Sequence, residues 1–223
     1  MKDKDSSQTE AIKNNSARLT VFALLAAALL GLVYWFTEDK IAQQQILARQ
    51  EALAEVFPSY LHDNNLLDRP LILDADSTLF TGIENLGITD QATAYLAYKN
   101  GQYTGIVLPL TAHDGYSGDI ALIAGISHEG IITGARVIAH RETPGLGDKI
   151  ELRHSPWILA FDGTSLNNPM LSAWKVKKEG GQFDQFTGAT ITPRAVVKAL
   201  QKALLFTQEN RDILGNFNSQ TEP

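Results

Sequence analysis

The 223-residue sequence predicts an α+β domain carried behind a single N-terminal transmembrane helix. Three observations predict it. Residues 19–36 hold no charged side chain and only Thr20 as a clearly polar one, a run near the shortest that spans a bilayer core. Beyond it, β-rich segments flank Asn100-Gly101 and Glu129-Gly130, and Asn-Gly is a strong hairpin signal because it accepts the positive φ of tight turns. Near the C-terminus, Thr192 and Pro193 suit the N-cap and first position of a helix that continues through the good helix formers of residues 194–200.

Taken in order, residues 1–18 are polar and mixed in charge, which predicts an irregular cytoplasmic tail. The anchor is placed at 19–37. Lys13 and Arg18 precede it, Glu38, Asp39 and Lys40 follow it, and Tyr34 and Trp35 fall where interfacial aromatics belong, so the N-terminus is expected inside and the bulk outside. A cleaved signal peptide is the rival reading, but the apolar core ends in Val-Tyr-Trp-Phe-Thr rather than a small-x-small site. Residues 38–58 form a helix candidate, with Ile41, Ile46, Leu47, Leu53, Val56 and Phe57 at roughly helical spacing and Pro58 as its stop, either a stalk or a packing helix. The domain proper is expected over 59–214. Strands are predicted at 69–75, 92–99, 103–110, 119–127, 131–140 and 174–178, forming a twisted antiparallel sheet completed by packing helices, with a loose tail at 215–223.

Composition narrows the function. A formal charge of −6 argues against a nucleic-acid partner, and the excess is acidic beyond residue 18, because residues 1–18 carry Lys2, Lys4, Lys13 and Arg18 against Asp3, Asp5 and Glu10. The absence of cysteine excludes disulfides, cysteine-ligated iron–sulfur clusters and thiol redox chemistry, so any electrons must be held by an organic cofactor. The five histidines, at 62, 113, 128, 140 and 154, show no ligand spacing, and no metal site is expected. His140 reads as a partly buried histidine at a strand end. Markers of α/β hydrolases, phosphate-loop NTPases and Rossmann domains are missing, so no catalytic residues are assigned.

The chemistry concentrates at Asp184-Gln185-Phe186-Thr187-Gly188-Ala189-Thr190, directly before the C-terminal helix. Thr190 sits just outside a helix N-terminus, where free N–H groups and the helix dipole favour a phosphate. Two further loops belong with it. Gly115-Tyr116-Ser117-Gly118 opens the second strand pair, and Glu142-Thr143-Pro144-Gly145-Leu146-Gly147 follows it. In the latter, Pro144 and the glycines can hold backbone against a flat ring, Leu146 can cover its apolar part, and Glu142 or Thr143 can supply polar contacts. Tyr116 and Trp174 could stack on such a ring or pack in the core.

The Asp-x-x-Thr-Gly-Ala-Thr pattern, with the Glu-Thr-Pro-Gly-Leu-Gly loop, resembles the FMN-binding domain shared by the RnfG component of the Rnf ion-translocating oxidoreductase and the NqrC component of the sodium-pumping NADH:quinone reductase. The compact length fits the RnfG branch better. The resemblance implies FMN esterified through its phosphate to Thr190, with Gly188 and Ala189 leaving room for that phosphate and Asp184 and Thr187 helping a flavin transferase recognise the site. Cofactor contacts are thereby expected at Tyr116, Glu142, Thr143, Leu146, Gly147, Asp184, Thr187, Gly188, Ala189, Thr190 and Thr192. A threonine hydroxyl is a poor nucleophile and no adjacent base is visible, so attachment would need a separate Mg²⁺-dependent transferase using FAD. The resemblance also implies membrane and peripheral partner subunits, a bacterial inner-membrane location and an electron-relay role while the assembly moves Na⁺ or H⁺. Two readings from other classes stand beside it: a cofactor-free membrane-anchored scaffold in which Thr187 to Pro193 only caps a helix, and an extracytoplasmic flavoenzyme with its own substrate.

Overall fold

The computed structural model describes residues 2–217 and divides the chain into two units, residues 1–49 and 50–223. The first is built from helix α1 (Lys2–Val56), whose last turn belongs to the second unit. Within α1, Arg18–Glu38 is long and apolar enough to cross a membrane. Leu19, Phe22, Leu30 and Trp35 are exposed around its circumference, and an all-round apolar surface of that kind suits lipid rather than water. The irregular tail expected at residues 1–18 is instead helical from Lys2. No Pro or Gly interrupts residues 2–30, and the Lys, Gln, Glu and Ala content favours helix.

The second unit is organised by an antiparallel meander: β1 (Pro70–Asp74), β2 (Gln91–Lys99), β3 (Gln102–Gly115), β4 (Gly118–Ser127) and β5 (Ile132–Ala139), in that spatial order. Asn100 and Gly101 both take positive φ, 51° and 75°, and close the β2–β3 hairpin. The two expected hairpins are not separate. β3 runs on to Gly115 and pairs along its length with β4, leaving Tyr116 and Ser117 as the turn.

Period-two alternation gives the sheet two apolar faces. Leu96, Ile106, Leu108, Leu122 and Ile126 face helix α2 (Ile191–Glu209), whose Val196, Val197, Leu200 and Leu204 are buried in the same cluster. Tyr95, Ala97 and Val107 pack in a second cluster with Leu53, Val56 and Phe57 from the end of α1, so this part of the 38–58 helix packs on the domain. Glycines make that approach possible. A Cβ on Gly125 would overlap the Val56 carbonyl oxygen, and one on Gly134 would lie 2.8 Å from the Val56 Cα. Thr133 Oγ1 donates to the Val56 carbonyl, and Arg136 Nε meets Glu55 Oε2 at 2.8 Å.

Between β5 and α2 the chain is irregular and held by aromatic packing. The strand expected at 174–178 is absent. Trp174 is 2% exposed and tilted against Phe183, with its indole N–H donating to the Ser165 carbonyl at 3.0 Å. A single bridge, Val176 to Phe183, replaces a ladder, because Gly180 and Gly181 fold the chain back so tightly that a Cβ on Gly181 would overlap the Lys175 carbonyl. Trp174 is therefore a core residue rather than a ring-stacking one, and the lysines at 175, 177 and 178 do not form a strand face. Helix α3 (Arg211–Asn216) takes in Gly215, and Tyr98 Oη donates to the Phe217 carbonyl at 2.7 Å. Residues 218–223 of the expected loose tail lie outside the described residues.

Candidate functional site

The turn between β3 and β4, the loop after β5 and the start of α2 meet at one end of the sheet around a cleft of about 320 Å³. That lies at the lower end of the range for ligand sites. Of the eleven residues the sequence singled out, nine line it: Tyr116, Glu142, Thr143, Leu146, Gly147, Gly188, Ala189, Thr190 and Thr192. Ile191 lines it too and was missed; its place directly after Thr190 at the helix start was the available signal. Asp184 and Thr187 do not line it. Both are exposed, and Asp184 forms an ion pair with Lys177 Nζ at 2.6 Å.

Each wall is fixed by a specific packing contact. The threonine motif is pinned by Phe186, 8% exposed and edge-on to Trp157 at 5.1 Å, and by the Trp157 indole N–H, which donates to the Asp184 carbonyl at 2.8 Å. Between these anchors and α2, Gly188 turns the chain with φ 82°. Thr190 then occupies the N-cap position of α2, half-buried, with no capping bond from its side chain. The first backbone bond of the helix runs from Arg194 N to Thr190 O, and Pro193 has no N–H to offer. The N–H groups of Ile191 and Thr192 thus point out of the first turn without acceptors among the described residues, an arrangement that favours an anion.

Thr192 is not the N-cap. It is the second residue of α2, fully buried, and its hydroxyl donates to Glu142 Oε2 in a short hydrogen bond. The reason is Glu142, only 4% exposed, whose other oxygen accepts the Ser117 N–H at 2.9 Å. One carboxylate therefore ties together the β3–β4 turn, the loop after β5 and the start of α2. Two glycines make room for it: a Cβ on Gly115 would fall 2.9 Å from Oε1, and one on Gly147 would fall 3.0 Å from both Oε2 and Thr192 Oγ1.

Behind Glu142, His140 has the structural role that the sequence indicated. Its Nδ1 accepts the Glu142 N–H at 2.9 Å, so Nε2 carries the proton and donates to Glu151 Oε1 at 2.6 Å. Burial pushes the Glu151 carboxyl up, but hydrogen bonds from Arg153 and His140 outweigh it and hold the pKa below its ordinary value. Among the described residues no group of three potential metal ligands is found. A second groove, about 280 Å³, runs beside α2 past Glu84, His113, Asp114, Lys198 and Lys202. Its charged groups largely satisfy one another, through His113–Asp119 and Lys198–Asp114 pairs at 2.9 and 2.7 Å, and it contains none of the sequence-predicted residues.

Comparison with known proteins bears on this cleft directly. Residues 115–205 match the FMN-binding domain family, a span that includes every cleft residue, and residues 1–56 match the family described as the RnfG N-terminal region. The crystal structure of Shewanella oneidensis NqrC shares the fold, with a TM-score of 0.52 over 75% of this chain and 96% of that one, at 19% identity. The G subunit of the ion-translocating oxidoreductase complex of Pseudomonas aeruginosa is 45% identical over 94% of this chain and 95% of its own length. Its counterpart in Vibrio cholerae is 44% identical over 92% and 95%. With identity at that level running through both the apolar helix and the cleft, the chain belongs to the RnfG family, the G subunits of ion-translocating oxidoreductase complexes.

Proposed function

We propose that this chain is an electron-relay subunit of a membrane-bound, Rnf-type ion-translocating oxidoreductase and that it carries FMN covalently through a phosphoester to Thr190. One observation carries the reading: in a chain of this family, the threonine that ends the Thr-Gly-Ala-Thr motif lies in the cleft with an unbonded hydroxyl at the N-terminus of α2. The residues present fit the group. The free N–H groups of Ile191 and Thr192 and the α2 dipole would receive the phosphate. Gly188, with no side chain and only Leu146 Cδ2 within 4 Å of where a Cβ would stand, leaves space beside it. Tyr116, Leu146 and Ile191 supply apolar surface for a flat ring, and Thr143 and the Glu142 wall supply polarity.

Bound here, FMN supplies transfer of one or two electrons, while the protein supplies position and field. Esterification makes a bond between Thr190 Oγ and the flavin phosphorus of FAD, breaks the pyrophosphate bond and releases AMP and the hydroxyl proton. Among the described residues no side chain accepts a bond from Thr190 to act as base, which supports maturation by a separate flavin transferase. Asp184 and Thr187, exposed beside the cleft, are placed where such an enzyme could read them. The Arg18–Glu38 stretch would anchor the chain in the bacterial inner membrane, with the N-terminus cytoplasmic and the domain periplasmic. Its core holds no ionisable residue, so Na⁺ or H⁺ would pass through neighbouring subunits.

The test is intact mass and in-gel flavin fluorescence after denaturation, on the wild type and Thr190→Val, each co-expressed with a flavin transferase. A single FMN adduct present in the wild type and missing in the variant is the expected result. An unmodified wild type, alongside a control flavoprotein that is modified, would overturn the reading and leave a membrane-anchored scaffold.

A further inference from the structure

The cleft has opposite polarities at its two sides. At one is the N-terminus of α2, with the free N–H groups of Ile191 and Thr192. At the other is Glu142, almost fully buried, with each oxygen accepting one hydrogen bond, from Ser117 N and from Thr192 Oγ1. That is the bonding pattern of a carboxylate. Among the described residues it forms no ion pair. Arg153 is paired with Glu151, Arg194 with Glu179 and Lys198 with Asp114. The charge is also immobile, because its two donors come from different elements and the glycines at 115 and 147 leave the carboxylate no other place.

We propose that Glu142 sets the reduction potential of the bound flavin, holding it low by keeping a fixed, unneutralised negative charge in the wall of the cleft. The proposal rests on the reading that FMN occupies this cleft. With the phosphate drawn to the α2 N-terminus, the ring extends among the remaining walls, which include Glu142. Reduction brings two electrons to the ring, and any negative charge left after protons arrive from solvent is opposed by a like charge in a site that water screens poorly. The carboxylate acts on the flavin through its field, and its hydrogen bonds with Ser117 and Thr192 hold it in position.

The charge can be separated from the clamp. In Glu142→Gln the amide oxygen can still accept the Ser117 N–H while the amide nitrogen donates to Thr192 Oγ1, so the wall survives without its charge. The experiment is a spectroelectrochemical titration of the flavinylated full-length chain in detergent, with the electrode supplying electrons through mediators. Wild type, Glu142→Gln, Glu142→Asp and Thr192→Val are compared, with covalent flavin content measured first. Glu142→Gln is expected to shift the electron-binding equilibrium at least tenfold towards the reduced form, about 30 mV more positive for a two-electron couple. Glu142→Asp, which keeps the charge, is expected to return most of the shift, and Thr192→Val to move the potential less than Glu142→Gln while lowering thermal stability more. Glu142→Gln with full flavin content and a wild-type potential overturns the proposal. So does Glu142→Gln without covalent flavin, because the carboxylate would then serve attachment rather than potential. An unflavinylated wild type would instead defeat the reading on which the proposal rests.

Discussion

The hydrogen bond between Thr192 and Glu142 should be measurable as a coupling energy in the protein without flavin. Thr192→Val replaces the hydroxyl by a methyl group of nearly the same size, so it leaves packing in place and strands Glu142 Oε2 in a buried site. Losing a hydrogen bond to a charged group costs about 1.5–3 kcal/mol. For a domain of this size that is a fall in Tm of roughly 4–10 °C. Glu142→Ala strands two donors, the Ser117 N–H and the Thr192 hydroxyl, and should cost more than Thr192→Val. Once Glu142 is gone, removing the Thr192 hydroxyl should cost little, because it no longer has an acceptor. The double-mutant cycle therefore predicts a coupling of about 1–3 kcal/mol. The assay is thermal unfolding of the detergent-solubilised full chain expressed without a flavin transferase, so that no ligand contributes to stability. Thr192→Ser, which keeps the hydroxyl, serves as control and should recover most of the loss. A coupling below about 0.5 kcal/mol would mean the clamp does not hold the three walls together and would refute the account given of the cleft.

Two further outcomes are expected. Gly125→Ala places a Cβ onto the Val56 carbonyl, so the last turn of α1 must lift from the sheet; the cost should reach or exceed the roughly 1–3 kcal/mol typical of overpacking, read as faster proteolysis after Leu53 and a lower Tm. The Asp119 hydrogen bond to His113 Nδ1 holds that imidazole above its ordinary pKa of 6.5, with the Gly87 carbonyl accepting from Nε2, so both nitrogens donate as in the charged form. His113 thus contributes stability below its unfolded pKa and loses it as pH rises through the raised folded value; an NMR titration should show the elevated pKa, and Asp119→Asn should bring it back towards 6.5.

Most of the cleft was legible in the sequence because its parts are short motifs whose chemistry is local. A glycine turn before a helix start, a Pro-Gly loop after a strand and a threonine at a helix mouth each declare themselves over a few residues. What stayed hidden depends on pairings across distance. Thr192 looked like an N-cap because the Thr-Pro dipeptide favours that role, but a buried acceptor 50 positions away outcompetes its own backbone. Trp174 looked like part of a strand because its neighbours are β-formers, whereas its place is decided by Phe183 and the Ser165 carbonyl. The joining of the two hairpins followed from β3 being longer than its apolar core, and the end of α1 became a packing element because Gly125 and Gly134 open the sheet surface to it.

These long-range pairings also divide the domain into parts that should fail separately. The end of α1 packs on the face of the sheet opposite α2, through Val56, Phe57 and the glycines of β4 and β5. The cleft is held at the end of the sheet by Glu142, His140 and the aromatic contacts of Trp157 and Phe186. Among the described residues, no side-chain hydrogen bond joins Val56 or Phe57 to Glu142, His140 or Trp157. Gly125→Ala should then weaken the packing of α1 while leaving covalent flavin content at the wild-type level, and Glu142→Ala should disturb the cleft without exposing the α1 end to protease. Joint loss of both properties in either variant would show that the sheet transmits strain from one face to its far end, as a close-packed core can. Independent loss would mean that the anchor and the redox site were assembled on one sheet by contacts that do not depend on each other.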